Sequence, residues 1–337
     1  MSRENLTKGA GNRKLILAAD VLAEAGRRLL GARDDFDTIF FPNLIGRSEF
    51  GELLRSERPP ACVILGPTPF GAPEIAASAG IRVVSRIGVG FDAIDVPALT
   101  RHRIPLMITT EANAISVAEH TLSSIFALAK RTATLDALTR NQGWKDRMNT
   151  LPADLSETVI LIVGFGRIGS RVAKLCRAFQ MRVLVYDPYA VAASVRAAGA
   201  EWVSNLADAV RISDFVTLHC PKNPETTGLF GSELLACMRS TACLINTARG
   251  GIVDETALCD ALGNGRIQAA AIDVFGSEPP NADNPLLLLK NVILSPHVAG
   301  VTKESVERMG KAAVRNVLSV FDGKPLRENI INPTVLG

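Results

Sequence analysis

Short apolar runs alternate with helical patterns in two stretches of the chain. In the first stretch, strands are predicted at KLILAAD, DTIFF, ACVILG and IRVVSRIG, separated by the helical patterns VLAEAGRRLLGARD and APEIAASAG. The second stretch begins at Thr158 and predicts strands at TVILIVG, RVLVYD, DFVTLHC, ACLINTA, QAAAIDVF and NVILSP. These strands are apolar without clean alternation, which is typical of a parallel sheet covered by helices on both faces. The sequence therefore predicts an α/β protein with two sheet-containing units.

A long helix is predicted between the two stretches, from Ser116 to about Arg140. SVAE predicts a capping box, with Glu119 at the third helical position. The apolar stripe of this helix is carried by Leu122, Ile125, Phe126, Ala129 and Ala133. We expect it to connect two domains.

The final helical pattern, Lys303 to Val320, is too short to form a domain. We expect it to pack against the N-terminal unit, which makes the first domain discontinuous. The predicted boundaries are residues 1–110 completed by residues 299–337, with a second domain at residues 111–298.

A glycine-rich turn directly follows the strand VILIV and consists of Gly164, Phe165, Gly166, Arg167, Ile168 and Gly169. Gly164 permits a tight turn, Gly166 lets a pyrophosphate approach the backbone, and Gly169 allows a helix to pack closely on the strand. Asp187 ends the next strand about 20 residues on, where an acid binds the ribose hydroxyls of NAD and repels a 2′-phosphate. The pattern predicts an NAD site. The alternative is an ordinary turn with Asp187 as its cap.

Three ionisable residues follow successive strands of the second stretch. Arg249 lies in NTARGG, Glu278 in FGSEPP and His297 in SPH. Oxidation of an alcohol by hydride transfer needs a base, a group that orients this base, and a cation that holds the substrate oxygens. His297, Glu278 and Arg249 match these roles. Taken singly, Arg249 also fits a surface ion pair, Glu278 a solvated loop and His297 a turn.

Composition narrows the remaining classes of function. Lys+Arg 37 against Asp+Glu 34 gives a formal charge of +3 without a basic run, which disfavours nucleic acid and anionic membranes as partners. The six cysteines show no CxxC pair and no zinc spacing, so we expect reduced thiols and no metal site. The first fourteen residues lack a signal-peptide core, and no later run is long enough for a membrane helix. We expect a cytoplasmic protein.

The motifs together resemble the D-isomer-specific 2-hydroxyacid dehydrogenases, and in particular their phosphoglycerate-dehydrogenase-like branch. The resemblance is carried by the glycine turn, Asp187, HCPKNPETTGLF from His219, MRSTACLINTARGGIVDETAL from Met238, AIDVFGSEPP from Ala271 and NPLLLLKNVILSPHVAG from Asn284. SRIGVGFDAID from Ser85 and NAISVAEHTL from Asn113 extend it upstream. It implies two Rossmann-like domains with a cleft between them, a homodimer formed through the connecting helix, and NAD as cofactor.

The resemblance also implies roles for individual residues in the nucleotide-binding domain. Arg249 would bind the substrate, His297 would act as acid and base, and Glu278 would be its partner. Asp273 would hold the nicotinamide carboxamide, and Thr247 would lie in the cofactor site.

In the first domain, the backbone of Val89 and Gly90 would receive the substrate carboxylate. Arg86 resembles an arginine that phosphoglycerate dehydrogenases use near the substrate phosphate, and its alternative is a salt bridge that supports the loop. The implied substrate is a small D-2-hydroxy acid or its 2-oxo acid, either of the phosphoglycerate and phosphohydroxypyruvate class or of the glyoxylate and hydroxypyruvate class.

Some positions depart from the family pattern. Ala93 stands where an asparagine is frequent, Glu111-Ala112 replaces a common Pro-Gly, and Gly276 replaces a frequent acid near Glu278. We also expect no C-terminal regulatory domain, because the sequence ends at Gly337.

Two other functions compete with the dehydrogenase. One is an NAD-sensing corepressor-like binding protein on the same fold, which would bind NADH and capture peptides without turnover. The other is oxidation of a smaller anion such as formate or phosphite, but formate has no hydroxyl proton that needs the His–Glu pair. Among the other histidines, we expect His120 to be a structural or interface histidine and His102 to be solvated, while His219 fits either packing or the cofactor side.

Overall fold

The computed structural model describes residues 13–58, 62–78 and 80–336, except for the side chains of residues 62–64. The chain divides into two compact units. Unit 1 contains the described residues up to Asn113 together with those from Lys303 onward, and unit 2 is Ala114–Thr302.

Unit 1 is built on a five-stranded parallel sheet with the order β2-β1-β3-β4-β5. Its strands are β1 Lys14–Ala19, β2 Phe36–Phe41, β3 Cys62–Leu65, β4 Val83–Arg86 and β5 Leu106–Met107. Its helices are α1 Glu24–Gly31, α2 Arg47–Glu57, α3 Ala72–Ala77, α4 Val96–Arg101 and α12 Lys303–Phe321. A short 3-10 turn, Arg327–Asn329, follows α12.

The C-terminal helix α12 is an integral part of unit 1. It packs along α1 and against β4, and the hydroxyl of Ser85 on β4 donates to the Ala313 carbonyl at 3.0 Å. Gly26 and Gly310 lie at the α1–α12 crossing, where a Cβ on Gly26 would stand 2.8 Å from the Gly310 carbonyl oxygen. The small residues allow the two helices to approach closely.

Unit 2 contains a seven-stranded sheet, parallel throughout, with the order β12-β11-β10-β9-β6-β7-β8. Its strands are β6 Val159–Val163, β7 Arg182–Tyr186, β8 Glu201–Trp202, β9 Phe215–Leu218, β10 Cys243–Asn246, β11 Ala269–Ile272 and β12 Val292–Leu294. Its helices are α5 Ala114–Ala129, α6 Thr132–Arg140, α7 Arg167–Ala178, α8 Ala192–Ala197, α9 Leu206–Ile212, α10 Ser232–Cys237 and α11 Glu255–Gly263, with 3-10 turns at Trp144–Asn149 and Pro285–Leu288.

Both faces of this sheet are buried. Leu161 belongs to the apolar cluster that contains residues of α10 and α11. Ile160 and Ile162 belong to the opposite cluster, with Val172 of α7 and Ile125 of α5. The predicted α/β class with a doubly covered parallel sheet is confirmed.

The predicted continuous helix from Ser116 to Arg140 is wrong. α5 ends at Ala129 and α6 begins at Thr132, because Arg131 adopts the left-handed conformation at φ 49° and breaks the ladder between them. Ala133, predicted in the buried stripe, is exposed on α6.

The predicted capping box at Ser116 is also wrong. α5 begins two residues earlier, at Ala114, so Ser116 lies inside the helix. Its side chain is buried, and its hydroxyl lies 3.1 Å from the Thr302 hydroxyl instead of capping the first turn.

The sheet of unit 2 places three strand ends side by side. β10 pairs with β11 and β11 with β12, and Asn246, Ile272 and Leu294 lie level in these two pairings. Segments that follow these strands therefore begin at neighbouring points on one edge of the sheet. Across the described residues, no helix has the length and apolarity needed to cross a membrane.

Candidate active site

The glycine-rich turn joins β6 to α7 as the sequence predicts. Gly164 has φ 97°, and a Cβ at this position would lie 2.7 Å from the Cys220 backbone nitrogen, so only glycine fits. A Cβ on Gly169 would stand 2.1 Å from the Gly164 carbonyl oxygen, which explains the glycine where the helix starts against the strand. Gly166 is exposed, with open space where its Cβ would be.

These features fit a bound dinucleotide. The backbone at Gly166 is open to a phosphate, and the first turn of α7 offers N–H groups that lack intrahelical acceptors. The exposed residue Arg167 and the half-buried Ile168 begin the same helix. The turn can therefore hold a pyrophosphate at the N-terminus of a twelve-residue helix.

Asp187 follows β7 and faces the glycine turn. One carboxylate oxygen accepts the Phe165 backbone N–H at 2.8 Å, and the other accepts that of Tyr189 at 2.8 Å. The carboxylate thus caps its own turn, as the alternative interpretation expects, and it is fixed beside the glycine turn. Each oxygen keeps a second lone pair, so the capping role and ribose binding are compatible.

Glu278 and His297 are brought together by the neighbouring ends of β11 and β12. His297 Nδ1 lies 2.7 Å from Glu278 Oε2, and Glu278 Oε1 accepts the Phe275 backbone N–H at 3.0 Å. Both side chains remain partly exposed. The carboxylate accepts Nδ1–H of the imidazole, which leaves Nε2 as the nitrogen that can exchange a proton with a ligand.

His297 adopts a left-handed backbone conformation, φ 53°, that is uncommon for a residue with a side chain. The buried Asp273 holds this turn in place. Its backbone carbonyl accepts the His297 N–H at 2.7 Å, and its carboxylate accepts the N–H groups of Val298 and Ala299, each at 2.9 Å. These bonds fix the direction of the imidazole.

The Asp273 carboxylate accepts a third hydrogen bond, from a side chain of the same turn. The Ser295 hydroxyl donates to Asp273 Oδ1 at 2.5 Å and lies 3.2 Å from His120 Nε2. His120 is thus linked to the Asp273 carboxylate through Ser295, and its structural role stays a prediction. The structure makes Asp273 an anchor of the His297 turn, and its implied contact with the nicotinamide stays a prediction.

Arg249 lies in the loop after β10, half-buried, with its Nη1 donating to the Ala248 carbonyl at 2.7 Å. Asn246 shapes this loop by donating to the Arg249 carbonyl at 3.0 Å and accepting the Ala248 N–H at 3.0 Å. The loop touches the loop of Glu278, because a Cβ on Gly250 would stand 1.7 Å from the Phe275 carbonyl oxygen. The structure thus brings the backbones of these two loops into direct contact.

Two further polar residues, Thr247 and His219, directly follow strands of this sheet, β10 and β9. Thr247 is buried, and its hydroxyl lies 3.0 Å from that of Thr121, which itself donates to the Val117 carbonyl. His219 follows β9 beside the Gly164 turn, with Nε2 3.0 Å from the Thr217 hydroxyl. Burial lowers the pKa of His219 to about 3, and its Nδ1 has no hydrogen-bond partner among the residues that the structure describes. Thr247 is thus engaged with α5, and His219 is a neutral group.

In unit 1, Arg86 ends β4 and its Nε donates to the Gly90 carbonyl at 2.9 Å. Gly88 in the same loop has φ 131°, and its N–H donates to the Thr109 hydroxyl at 3.0 Å. Val89 and Gly90 are half-buried at the tip of the loop. The contact with Gly90 shows that Arg86 shapes its own loop.

The sequence did not reveal the residues that hold these loops. Ser295 stands two residues before His297 and could have been suspected from that position. Glu255, which accepts the Gly276 backbone N–H, is 21 residues away in the chain, and no local pattern indicates the contact. It becomes visible only in the folded unit.

A parallel sheet with a glycine-rich turn, a fixed acid after the second strand and a His–Glu pair defines unit 2 as an NAD-binding domain. Residues 122–299 match the family model described as "D-isomer specific 2-hydroxyacid dehydrogenase, NAD binding domain". The chain belongs to the D-isomer-specific 2-hydroxyacid dehydrogenase family, as the sequence motifs indicated.

Individual relatives cover several named activities. D-3-phosphoglycerate dehydrogenase of Archaeoglobus fulgidus is 34% identical over 82% of this chain and 52% of the relative. Glyoxylate reductase of Aeropyrum pernix is 39% identical, with 76% of this chain and 78% of the relative covered. The chain spans about half the length of the phosphoglycerate dehydrogenases that it matches.

The same fold is found in solved structures. D-lactate dehydrogenase of Aquifex aeolicus, complexed with NAD and lactic acid, has a TM-score of 0.84 and 26% identity, and the match covers 94% of this chain and 99% of that chain. The neighbour supports the predicted fold class.

Proposed function

We propose that this protein is an NAD-dependent oxidoreductase that interconverts a small D-2-hydroxy acid and its 2-oxo acid. The hydrogen bond between His297 Nδ1 and Glu278 Oε2 carries this proposal. It lies at the sheet edge where the glycine turn and Asp187 also stand, so a nucleotide site and an acid–base pair share one unit. Unit 2 would be the NAD-binding domain and unit 1 the substrate domain.

The imidazole supplies the proton step. In the oxidation direction His297 Nε2 accepts the proton of the substrate hydroxyl, and in the reduction direction it returns a proton to the forming alkoxide. His297 is an imidazolium while Nε2 carries this proton. The Glu278 carboxylate stabilises the imidazolium because it accepts Nδ1–H. NAD, when bound, takes up or supplies the hydride. His297 therefore exchanges the proton at the substrate oxygen, and the hydride is exchanged at the carbon that carries this oxygen.

Arg249 would bind the substrate oxygens. A guanidinium offers two parallel N–H donors, which suits a carboxylate next to a carbonyl or hydroxyl oxygen. The contact of one donor with the Ala248 carbonyl orients the planar group. In this role the guanidinium of Arg249 would contact both the α-carboxylate and the 2-oxygen of the substrate.

The substrate class is a short 2-hydroxy acid. We propose that the backbone of Val89 and Gly90 in unit 1 receives its carboxylate. Relatives named as phosphoglycerate dehydrogenase and as glyoxylate reductase support two groups of substrate, phosphohydroxypyruvate on one side and glyoxylate or hydroxypyruvate on the other. The contact of Arg86 Nε with the Gly90 carbonyl occupies one donor of a guanidinium that has five, so we propose both groups of substrate as candidates.

We also propose a homodimer in the cytoplasm. α6 has no buried residue, and Trp144, Met148 and Leu151 just after it are 65%, 65% and 59% exposed. Large apolar side chains that cluster on one surface segment are typical of an interface. The five described free cysteines fit a reducing compartment. Light scattering coupled to size exclusion tests the dimer, and a monomer at micromolar concentration would contradict it.

A substrate panel tests the function directly. NADH oxidation is followed with glyoxylate, hydroxypyruvate, phosphohydroxypyruvate, pyruvate and bulkier 2-oxo acids, in parallel with NADPH. We expect turnover of at least one short 2-oxo acid and formation of the D-hydroxy acid. Tight NADH binding without turnover of any acid, together with peptide capture, would instead favour the corepressor-like function.

A further inference from the structure

The loop that carries Glu278 has few apolar anchors of its own. Residues 276–279 are exposed, as are residues 281–283, and the nearest buried side chains are Phe275 before this segment and Leu286 after it. Exposed loops without buried contacts open easily, so polar contacts must hold the Glu278 carboxylate near His297.

One side chain holds both sides of this loop. Glu255, the first residue of α11, accepts the Gly276 backbone N–H with Oε1 at 2.5 Å and the Asn284 side-chain amide with Oε2 at 2.8 Å. These two partners flank residues 277–283, the part of the loop that contains Glu278. Hydrogen bonds to a carboxylate are stronger than neutral ones. Glu255 therefore closes the base of the loop.

The contact continues directly to the acid–base pair. Gly276 follows Phe275, whose backbone N–H donates to Glu278 Oε1 at 3.0 Å, while Glu278 Oε2 meets His297 Nδ1 at 2.7 Å. A displacement of the backbone at residues 275 and 276 would move the donor that orients the Glu278 carboxylate. Glu255 is thus connected to the Glu278 carboxylate through the backbone of two consecutive residues, Phe275 and Gly276.

Gly276 is matched to this arrangement. A Cβ at this position would lie 3.2 Å from Glu255 Oε1, closer than most such contacts allow. An acidic side chain there would bring a second carboxylate toward that of Glu255, and like charges at this distance repel. Glycine at this position leaves the backbone N–H accessible to Glu255 and adds no second negative charge beside it.

We propose that Glu255 is a positioning residue for the Glu278–His297 pair and that it acts by fixing the backbone of the Glu278 loop. The inference rests on the proposed function, since it assumes that this pair carries the proton. The simpler role of Glu255 is a favourable charge in the first turn of α11. That role needs a carboxylate near the helix N-terminus but not one that reaches Gly276 and Asn284.

Two variants separate these roles. Glu255→Ala removes the charge and the contacts, whereas Glu255→Asp keeps the charge in the first turn but is one methylene too short to bridge Gly276 and Asn284. Glu233→Ala is the control, because Glu233 is likewise an acid in the first turn of a helix, α10; Glu233 is exposed, whereas Glu255 is half-buried. Thermal unfolding of all three variants shows whether each is folded at the assay temperature.

We expect both Glu255 variants to lower kcat by about 10- to 100-fold, because small displacements of an acid–base group have effects of this size. KM and the Kd of NADH should stay within about twofold in the same variants, since the loop positions the pair and does not bind NADH. Hydrogen exchange in residues 275–284 should be faster than in the unmodified protein. Glu233→Ala should change neither kcat nor this exchange.

A double variant tests the route of the effect. In a Glu278→Gln background, Glu255→Ala should lower kcat by less than about threefold, because its effect passes through Glu278. An undiminished loss in that background would overturn the proposal, as would full activity of Glu255→Asp or unchanged exchange in residues 275–284. If Glu278→Gln and His297→Ala themselves leave turnover unchanged, the proposed function fails; if they reduce it and Glu255→Ala does not, only the positioning role fails.

Discussion

Glu278 contacts His297 through one carboxylate oxygen, 2.7 Å from Nδ1, and is held by the Phe275 backbone N–H through the other. The carboxylate is thus fixed on one side and orients the imidazole on the other. This relationship joins two residues that are 19 positions apart in the chain, one in the loop after β11 and one in the turn after β12.

Glu278→Gln should lower kcat, but by less than removal of His297 does. A neutral amide stabilises the imidazolium less than a carboxylate does, while the imidazole that exchanges the proton is still present. Steady-state kcat of Glu278→Gln and His297→Ala on the same 2-oxo acid measures the difference. A kcat of Glu278→Gln equal to that of the unmodified enzyme would remove Glu278 from the pair.

Asp187→Ala should weaken the discrimination between NADH and NADPH. The carboxylate is fixed by the N–H groups of Phe165 and Tyr189, so it cannot turn away from a 2′-phosphate at the ribose. We expect the unmodified protein to prefer NADH, and the ratio of the two Kd values to fall at least tenfold in the variant. Fluorescence titration without substrate gives both values, and equal affinities in the unmodified protein would reject the assignment.

Arg86→Ala should reduce turnover of phosphohydroxypyruvate and hydroxypyruvate about equally. Its Nε supports the Gly90 carbonyl, so the variant loosens the loop proposed to receive the carboxylate that both acids share. Side-by-side kcat/KM measurements on the two acids decide this. A loss confined to the phosphorylated acid would instead assign recognition of the phosphate to Arg86.

His219 makes a prediction about acid stability. Burial lowers its pKa to about 3 from an ordinary value of 6.5, so between these values the unfolded chain binds a proton that the folded protein does not. The contribution of neutral His219 to the free energy of unfolding is complete above pH 6.5 and declines as the pH falls toward 3. His219→Gln should flatten the pH dependence of unfolding in this window, measured by denaturant titration, while the acid limb of the activity profile keeps its midpoint. A shift of that midpoint would show that His219 titrates in catalysis.

Much of the fold can be predicted because its strands are buried on both faces. Continuous apolar runs such as TVILIVG and ACLINTA appear as β6 and β10, and the glycine turn follows β6. β5 and β8 were not predicted, and each is only two residues long. β8 is exposed, and β5 lies in a five-residue apolar run that Pro105 interrupts, so neither has the pattern of a longer strand.

The break between α5 and α6 was missed for a different reason. Arg131 adopts φ 49° without a glycine or proline nearby, so no residue type marks the helix end. Arg249, Glu278 and His297 could be selected as candidates because each follows a strand. Glu255 could not, since only packing of α11 beside the β11 loop brings its carboxylate to Gly276.

The central claim is that the Glu278–His297 pair carries the proton while unit 2 binds NAD. The most direct measurement pairs kcat of His297→Ala, on the best 2-oxo acid of the panel, with its Kd for NADH from fluorescence titration. We predict that kcat falls by about 10²- to 10⁴-fold, the usual contribution of general acid–base catalysis, while Kd changes less than about twofold. A variant that binds NADH normally and turns over at the rate of the unmodified enzyme would contradict the account.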